Sequence, residues 1–173
     1  MRVSGVEEGS GRWQVGGAMK FRENVAVLMM DGRDRLLVCE RWAIAGAWQF
    51  PQGGVDEGES PVEALVREVE EEIGLEPDDY EILASKGGYR YFYPPEIKQK
   101  KLARHGHDGQ EQTYFLCRLK PGAEENIDVV QEPREFRRCR WIEPGQFRLE
   151  WLPEFKRPVY REVMKDFFGV DLA

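Results

Sequence analysis

The chain of 173 residues is 41% hydrophobic and 33% charged, enough for one sizeable core and too short for two ordinary domains. Its formal net charge of −7 excludes a protein that holds nucleic acid through a broad cationic surface, although a few local basic groups could still grip a nucleic-acid end. No apolar run approaches membrane-spanning length and no secretory leader core opens the chain, so a cytoplasmic protein with no membrane contact is expected.

In chain order, residues 1–18 (MRVSGVEEGSGRWQVGGA) are glycine-rich and aperiodic. They read as a loose N-terminal extension, with 19–173 forming a single domain. Met19 is either an alternative start or a coincidence. Asn24–Met30 and Arg35–Arg41 are apolar, β-prone runs around Asp31-Gly32-Arg33-Asp34, a pattern that predicts a strand–turn–strand hairpin. A short strand is expected at Trp48–Phe50.

Gly53 to Leu75 reads as a glycine turn feeding a helix with both ends marked. Ser60, Pro61 and Glu63 supply an N-cap, a first-turn proline and the reciprocal glutamate of a capping box, and Gly74 supplies a left-handed stop. Val62, Leu65, Val66, Val69 and Ile73 recur at helical spacing and form the face that packs on a sheet. Beside that stripe Glu68, Glu71 and Glu72 share an arc of about 100°, whereas Glu63 and Glu70 point elsewhere. No basic partner close in sequence neutralises the trio. A bound divalent cation would relieve their repulsion, and an oxygen-only donor set favours magnesium or manganese over zinc. On composition alone a solvated charged face is the plainer reading. The glycine turn, Arg67 and the cap favour the cation.

Strands are expected over Tyr80–Tyr91, Gln112–Leu119 and Arg138–Ile142, and a closing amphipathic helix over Phe155–Phe168 through Val159, Val163, Phe167 and Phe168. Tyr89, Tyr91 and Tyr93 alternate as a strand face does, so packing competes there with base stacking. Pro94–Asp108 carries Lys98, Lys100, Lys101 and Arg104 and reads as a solvated loop in preference to a cationic flap beside a site. His105 and His107 lack companion ligands and are not read as a metal site. Cys39, Cys117 and Cys139 are far apart without metal-ligand spacing, as reduced thiols in or near strands would be.

Gly53, Glu59, Arg67, Glu68, Val69, Glu71, Glu72, Gly74 and Leu75 coincide with the fixed positions of the Nudix box, and the chain resembles Nudix hydrolases. The resemblance implies an α/β fold, a mixed β-sheet sandwiched between helices (an α/β/α sandwich), and metal-dependent hydrolysis of a nucleoside diphosphate linked to another group. It implies that Glu68, Glu71 and Glu72 ligate Mg2+ or Mn2+, that the Gly53 carbonyl is a further ligand, and that Glu59 and Arg67 tie loop to helix as an ion pair. Glu68 is the first choice of general base, a glutamate outside the box the second.

Trp48-Gln49-Phe50-Pro51-Gln52-Gly53-Gly54, Glu135 and the tail from Phe155 through Lys165 resemble bacterial RNA pyrophosphohydrolases, relatives of the asymmetric dinucleoside tetraphosphate hydrolases. This implies removal of pyrophosphate from a 5′-triphosphorylated RNA end, a step of mRNA decay, with Glu135 as a metal ligand outside the box. Arg22, Gln110 and Lys156 match positions that touch phosphate or the terminal nucleotide, and Phe155 a base-stacking position. Each has a plainer alternative: a surface pair for Arg22, a strand edge for Gln110, a solvated cation for Lys156 and a helix-entry staple for Phe155. One departure weakens the expected phosphate grip, because Trp42 and apolar Ala43–Ala47 stand where those enzymes commonly carry a basic residue. A dinucleoside polyphosphate is the alternative substrate. A noncatalytic nucleotide or RNA sensor is the alternative of another class, disfavoured by the intact Glu68 and Glu72. No stable protein partner is inferred.

Overall fold

Strand β1 (Phe21–Met30) runs through the middle of the molecule, and its alternating side chains divide the core in two. Val25, Val27 and Met29 face one side, and Ala26 and Leu28 the other, as the two-residue period of a strand requires. The computed structural model describes residues 17–173, with the backbone alone over 101–105. The expected N-terminal extension, except for Gly17 and Ala18, lies outside the described residues.

Around β1 are β2 (Leu36–Arg41), β3 (Trp48–Gln49), β4 (Gln52–Gly54), β5 (Tyr80–Phe92), β6 (Gly109–Leu119) and β7 (Phe136–Ile142). The sheet order is β3-β2-β1-β6-β5, with β4 also paired to β1 and β7 to β2. The β1–β6 pair is parallel and the others are antiparallel, so the sheet is mixed. Helix α1 (Pro61–Ile73) covers one face through Leu65, Val69 and Ile73. Helix α3 (Arg157–Phe168) covers the other through Val159, Tyr160, Val163 and Met164. This is the expected sandwich of a mixed sheet between helices.

The β1–β2 hairpin turns on Asp31, a fully buried carboxylate that accepts from the backbone N–H groups of Arg33 and Arg35, 2.9 Å each, and from Arg35 Nε at 2.7 Å. Helix α1 has the expected ends. Ser60 and Glu63 form the reciprocal box, and Gly74 closes the helix at φ 72°. Its apolar stripe is narrower than the pattern suggests, since Val62 is half-exposed and Ala64 is buried in its place.

Two expectations need correcting. The segment between β5 and β6 is not a loop but a helix, α2 (Pro95–His105). Its residues include good helix formers without a continuous apolar stripe, so propensity and a first-turn proline define it where periodicity could not. The closing helix begins at Arg157, and Phe155 and Lys156 sit in a preceding single turn, Glu154–Lys156. The three cysteines lie on β2, β6 and β7 as free thiols, with Cys39 and Cys139 opposite each other in register.

Candidate active site

The acidic face of α1 meets the β4 loop at its tightest point. A Cβ on Gly53 would fall inside the carboxyl group of Glu68, and one on Gly54 would fall on the guanidinium of Arg22. A side chain at either position would therefore push the Glu68 carboxyl or the Arg22 guanidinium out of its place. Glu72, only 7% exposed, accepts from the backbone N–H of Gln52 at 2.9 Å. Gln52 in turn accepts through its side chain from Gln112 Nε2 at 2.9 Å, and Gln112 also donates to Asn24 at 3.1 Å. A continuous polar chain thus runs from the acidic helix into the sheet.

Arg67 organises the remaining carboxylates. It holds Glu59 through two bonds of 2.9 Å and the Gly54 carbonyl at 2.8 Å, and this clamp holds the Glu59 carboxyl down at about 2, chiefly through the Arg67 hydrogen bonds. The expected loop-to-helix ion pair is present. Arg67 Nη1 also reaches Glu68 at 2.7 Å and Glu71 at 3.3 Å. The expectation that no nearby base neutralises the trio is thereby corrected, for the box carries its own cation.

Burial raises the pKa of Glu72 well above the ordinary carboxylate value, and the charges of Glu68, Glu135 and Glu71 add to it. Glu68 is also raised by burial, against the pull of Arg67. Among the described residues no three His, Cys, Asp or Glu side chains are gathered tightly enough to hold a metal as they stand, and Arg67 is bonded to two of the acids concerned. The donor set nonetheless fits a hard divalent cation: it is all oxygen, partly desolvated, and its two inner carboxylates carry raised pKa values that added positive charge would relieve. Glu135 is brought into electrostatic range of Glu72 from the chain just before β7.

A cavity of about 650 Å3 opens with a wall that includes Tyr91, Gln110, Phe155 and Lys156. The Tyr91 ring lies 5.4 Å from that of Phe155, carries Lys156 Nζ 5.7 Å above it, and donates its hydroxyl hydrogen bond to Gln110. Gln110 is in register with Arg22 on β1, so Arg22 stands between the cavity and the acidic loop. Gln110, Phe155 and Lys156 therefore meet at the cavity wall, and Arg22, beside Gly54 and in electrostatic range of Tyr91, stands outside that wall toward the acidic loop. Tyr89, Tyr91 and Tyr93 are all buried, which settles the competition toward packing, with Tyr91 also presenting a face to the cavity.

Sequence reasoning missed several wall residues. Arg41, at the end of β2, lines the cavity and restores a cation near the place where Trp42 suggested a deficit. Trp48 and Trp151 form an aromatic wall with ring centroids 6.2 Å apart. The apolar Ile44–Ala47 stretch is its lip, held by Glu40, which accepts from the Gly46 N–H at 2.7 Å. The charged end of β2 was a usable signal for Arg41; nothing in the local pattern announced Trp151. Among the described residues His107 belongs to no group of three His, Cys, Asp or Glu side chains that could hold a metal, and the His105 side chain lies outside the described residues.

The sequence pattern of the NUDIX domain family matches residues 20–166. A protein of Helicobacter pylori (strain P12) named RNA pyrophosphohydrolase is 44% identical over 153 residues, covering 86% of this chain and 94% of the relative. Nudix hydrolase 26, chloroplastic, of Arabidopsis thaliana is 40% identical, covering 85% and 69%. Among solved structures, the E. coli dihydroneopterin triphosphate pyrophosphohydrolase superposes with a TM-score of 0.61 at 14% identity, covering 86% of this chain and 97% of that one. The last likeness is one of fold. Among the described residues no helix is long and apolar enough to cross a membrane.

Proposed function

This chain belongs to the Nudix domain family, and from that premise we propose that it hydrolyses a phosphoric anhydride bond, releasing pyrophosphate from the 5′-triphosphorylated end of an RNA. The observation that carries the reading is the junction of a buried carboxylate cluster with an aromatic cavity, bridged by Arg22. One half suits a polyphosphate with its counter-cations and the other a nucleobase. Similarity to relatives named RNA pyrophosphohydrolase supports the choice of RNA. The same reading carries a cytoplasmic site of action and a role in mRNA decay.

In this mechanism Glu68, Glu71, Glu72, Glu135 and the Gly53 carbonyl would hold Mg2+ or Mn2+. The bound cation would screen the carboxylates from the phosphates and make a water acidic enough to attack phosphorus near neutral pH. Glu68 is the carboxylate that would accept a proton from the attacking water. Glu59 and Arg67 fix the loop against the helix, which positions Glu68 and Gly53. Phe155 stacks on the terminal base with Tyr91 packed behind it, while Lys156, Arg22 and Arg41 oppose the phosphate charge and Gln110 donates to the nucleotide.

A test compares triphosphorylated RNA, diadenosine tetraphosphate and free nucleoside triphosphates at one enzyme concentration, with and without added divalent cation. Pyrophosphate release from RNA, abolished by chelator, is expected. Base stacking is worth about 1–3 kcal/mol. Replacing Phe155 and Lys156 together by alanine should therefore slow action on RNA by roughly ten- to a hundredfold and slow free nucleotides less. A double variant that handles RNA like the parent but fails on diadenosine tetraphosphate would transfer the assignment to dinucleoside polyphosphates.

A further inference from the structure

Besides the cations of Pro94–Asp108, the acidic chain carries a second concentrated basic segment. Residues 134–148 contain five arginines (134, 137, 138, 140 and 148) against two glutamates (135 and 143), a local excess of three positive charges in a molecule of net charge −7. Four of the five lie on β7 or just before it, and these are layered on indole rings. Arg134 and Arg137 sit 4.4 Å and 5.4 Å from the ring of Trp42, which is 47% exposed. Arg138 and Arg140 sit 5.4 Å and 4.1 Å from the ring of Trp48, and Arg140 is also 5.1 Å from Trp151.

The backbone arranges this ladder. Glu40 pairs with Arg138 and Arg41 with Phe136, so Arg137 is the extra residue of a bulge in β7. A bulge re-aims a side chain, and Arg137 is turned to Trp42, where its Nε also donates to the Trp42 carbonyl at 3.0 Å. Glu40 takes up the charge of Arg138 at 2.8 Å. Arg140 is instead held between two indoles. A guanidinium lying on a ring keeps its N–H edge directed outward for a phosphate, and one that lies on a single ring, as Arg137 does on Trp42, keeps its other face open to a base.

The ladder is continuous with the cavity, because Trp48 and Trp151 are at once its last rungs and part of the cavity wall. We propose that the Arg–Trp ladder of β7 binds the single-stranded nucleotides that follow the 5′-terminal nucleotide of the substrate. The proposal rests on the RNA reading of the cavity. Interleaved cations and aromatics suit a flexible strand with a charged backbone and stacking faces, and a local basic track lets an acidic protein hold such a strand without a general affinity for polyanions.

The test compares kcat/KM for a triphosphorylated dinucleotide with that for a triphosphorylated strand of about twenty nucleotides, across salt concentrations, for the parent and the double variant Arg137→Glu/Arg140→Gln. The parent should favour the long strand, by a margin that shrinks as salt rises. In the variant the long-to-short ratio should fall about tenfold or more. A change of the site alone would lower both rates together and leave the ratio standing. An unchanged ratio in the variant, or no length preference in the parent, overturns the proposal. Anisotropy with a 5′-hydroxyl strand reads the ladder without hydrolysis. A chain that binds this strand through Arg137 and Arg140, yet never acts on triphosphorylated RNA, would sink the function reading and keep the ladder.

Discussion

At Glu72 catalysis and stability pull in opposite directions. Its carboxyl is buried, and burial together with the charge of Glu68 lifts its pKa well above 4.5. A group whose folded pKa is raised favours the folded state below its unfolded pKa, and that contribution is lost as pH rises through the folded value. Glu72→Gln in metal-free buffer at pH 7 should therefore melt at or above the parent temperature, while turnover with added cation falls by at least about two orders of magnitude. Near-parent turnover on every substrate would remove Glu72 from the site. Asp31 has the opposite sign. Burial alone would raise it, but the N–H groups of Arg35 and Arg33 and the Arg35 guanidinium outweigh that and hold it below 3.8. Its contribution is present above the unfolded value and lost as pH falls through the folded one. Asp31→Ala should cost about 2–4 kcal/mol at pH 7, and denaturant titrations should show a smaller cost at pH 3. The place of Glu72 in the acidic cluster was legible because helical spacing groups it with Glu68 and Glu71; its bond from Gln52 was not, since a 20-residue separation leaves no local trace.

Among the elements, α1 was the most legible because its start, stop and faces are all encoded within its own turns. Its cap should therefore behave locally. Ser60→Ala removes the acceptor of the Glu63 N–H, 3.2 Å away, and should cost about 1 kcal/mol in equilibrium unfolding, with turnover nearly retained. Gly53→Ala should do the reverse, since the new methyl displaces the Glu68 carboxyl. Turnover should fall at least tenfold while the melting temperature moves by only a few degrees, about what 1 kcal/mol produces. A Gly53→Ala enzyme of parent activity would show that Glu68 need not stay where it is. Helix α2 was illegible for the converse reason: Ile97 alone among its described residues packs against the core, so no stripe existed to read. The cavity escaped for a third reason, being assembled from β2, β5, β6, the turn before α3 and the loop at Trp151. Only the resemblance of the tail pointed to Phe155 and Lys156.

Across the whole molecule, Gln112 joins sheet and site. It is fully buried, donates to Asn24 and Gln52, and accepts from the Tyr114 hydroxyl at 3.1 Å. Gln112→Ala would leave three partners short of a bond, two of them (Asn24 and Tyr114) buried, and a loss of about 3 kcal/mol in urea unfolding is expected, with slower turnover because Gln52 also positions Glu72. A loss below about 1 kcal/mol would mean that water replaces the amide. The two-sided core was legible in the alternation of β1, whereas its parallel pairing with β6 was not, because residues 88 positions apart carry no shared local pattern. That pairing also sets an order of events on the ribosome. Until β6 has emerged, β1 has no partner along most of one edge, and Val25–Met29 form an apolar strand with open N–H and C=O groups. A nascent chain stalled before Gly109 is thus a sticky, uncommitted hairpin beside an acidic helix, and closure of the sheet must wait for the second half of the message.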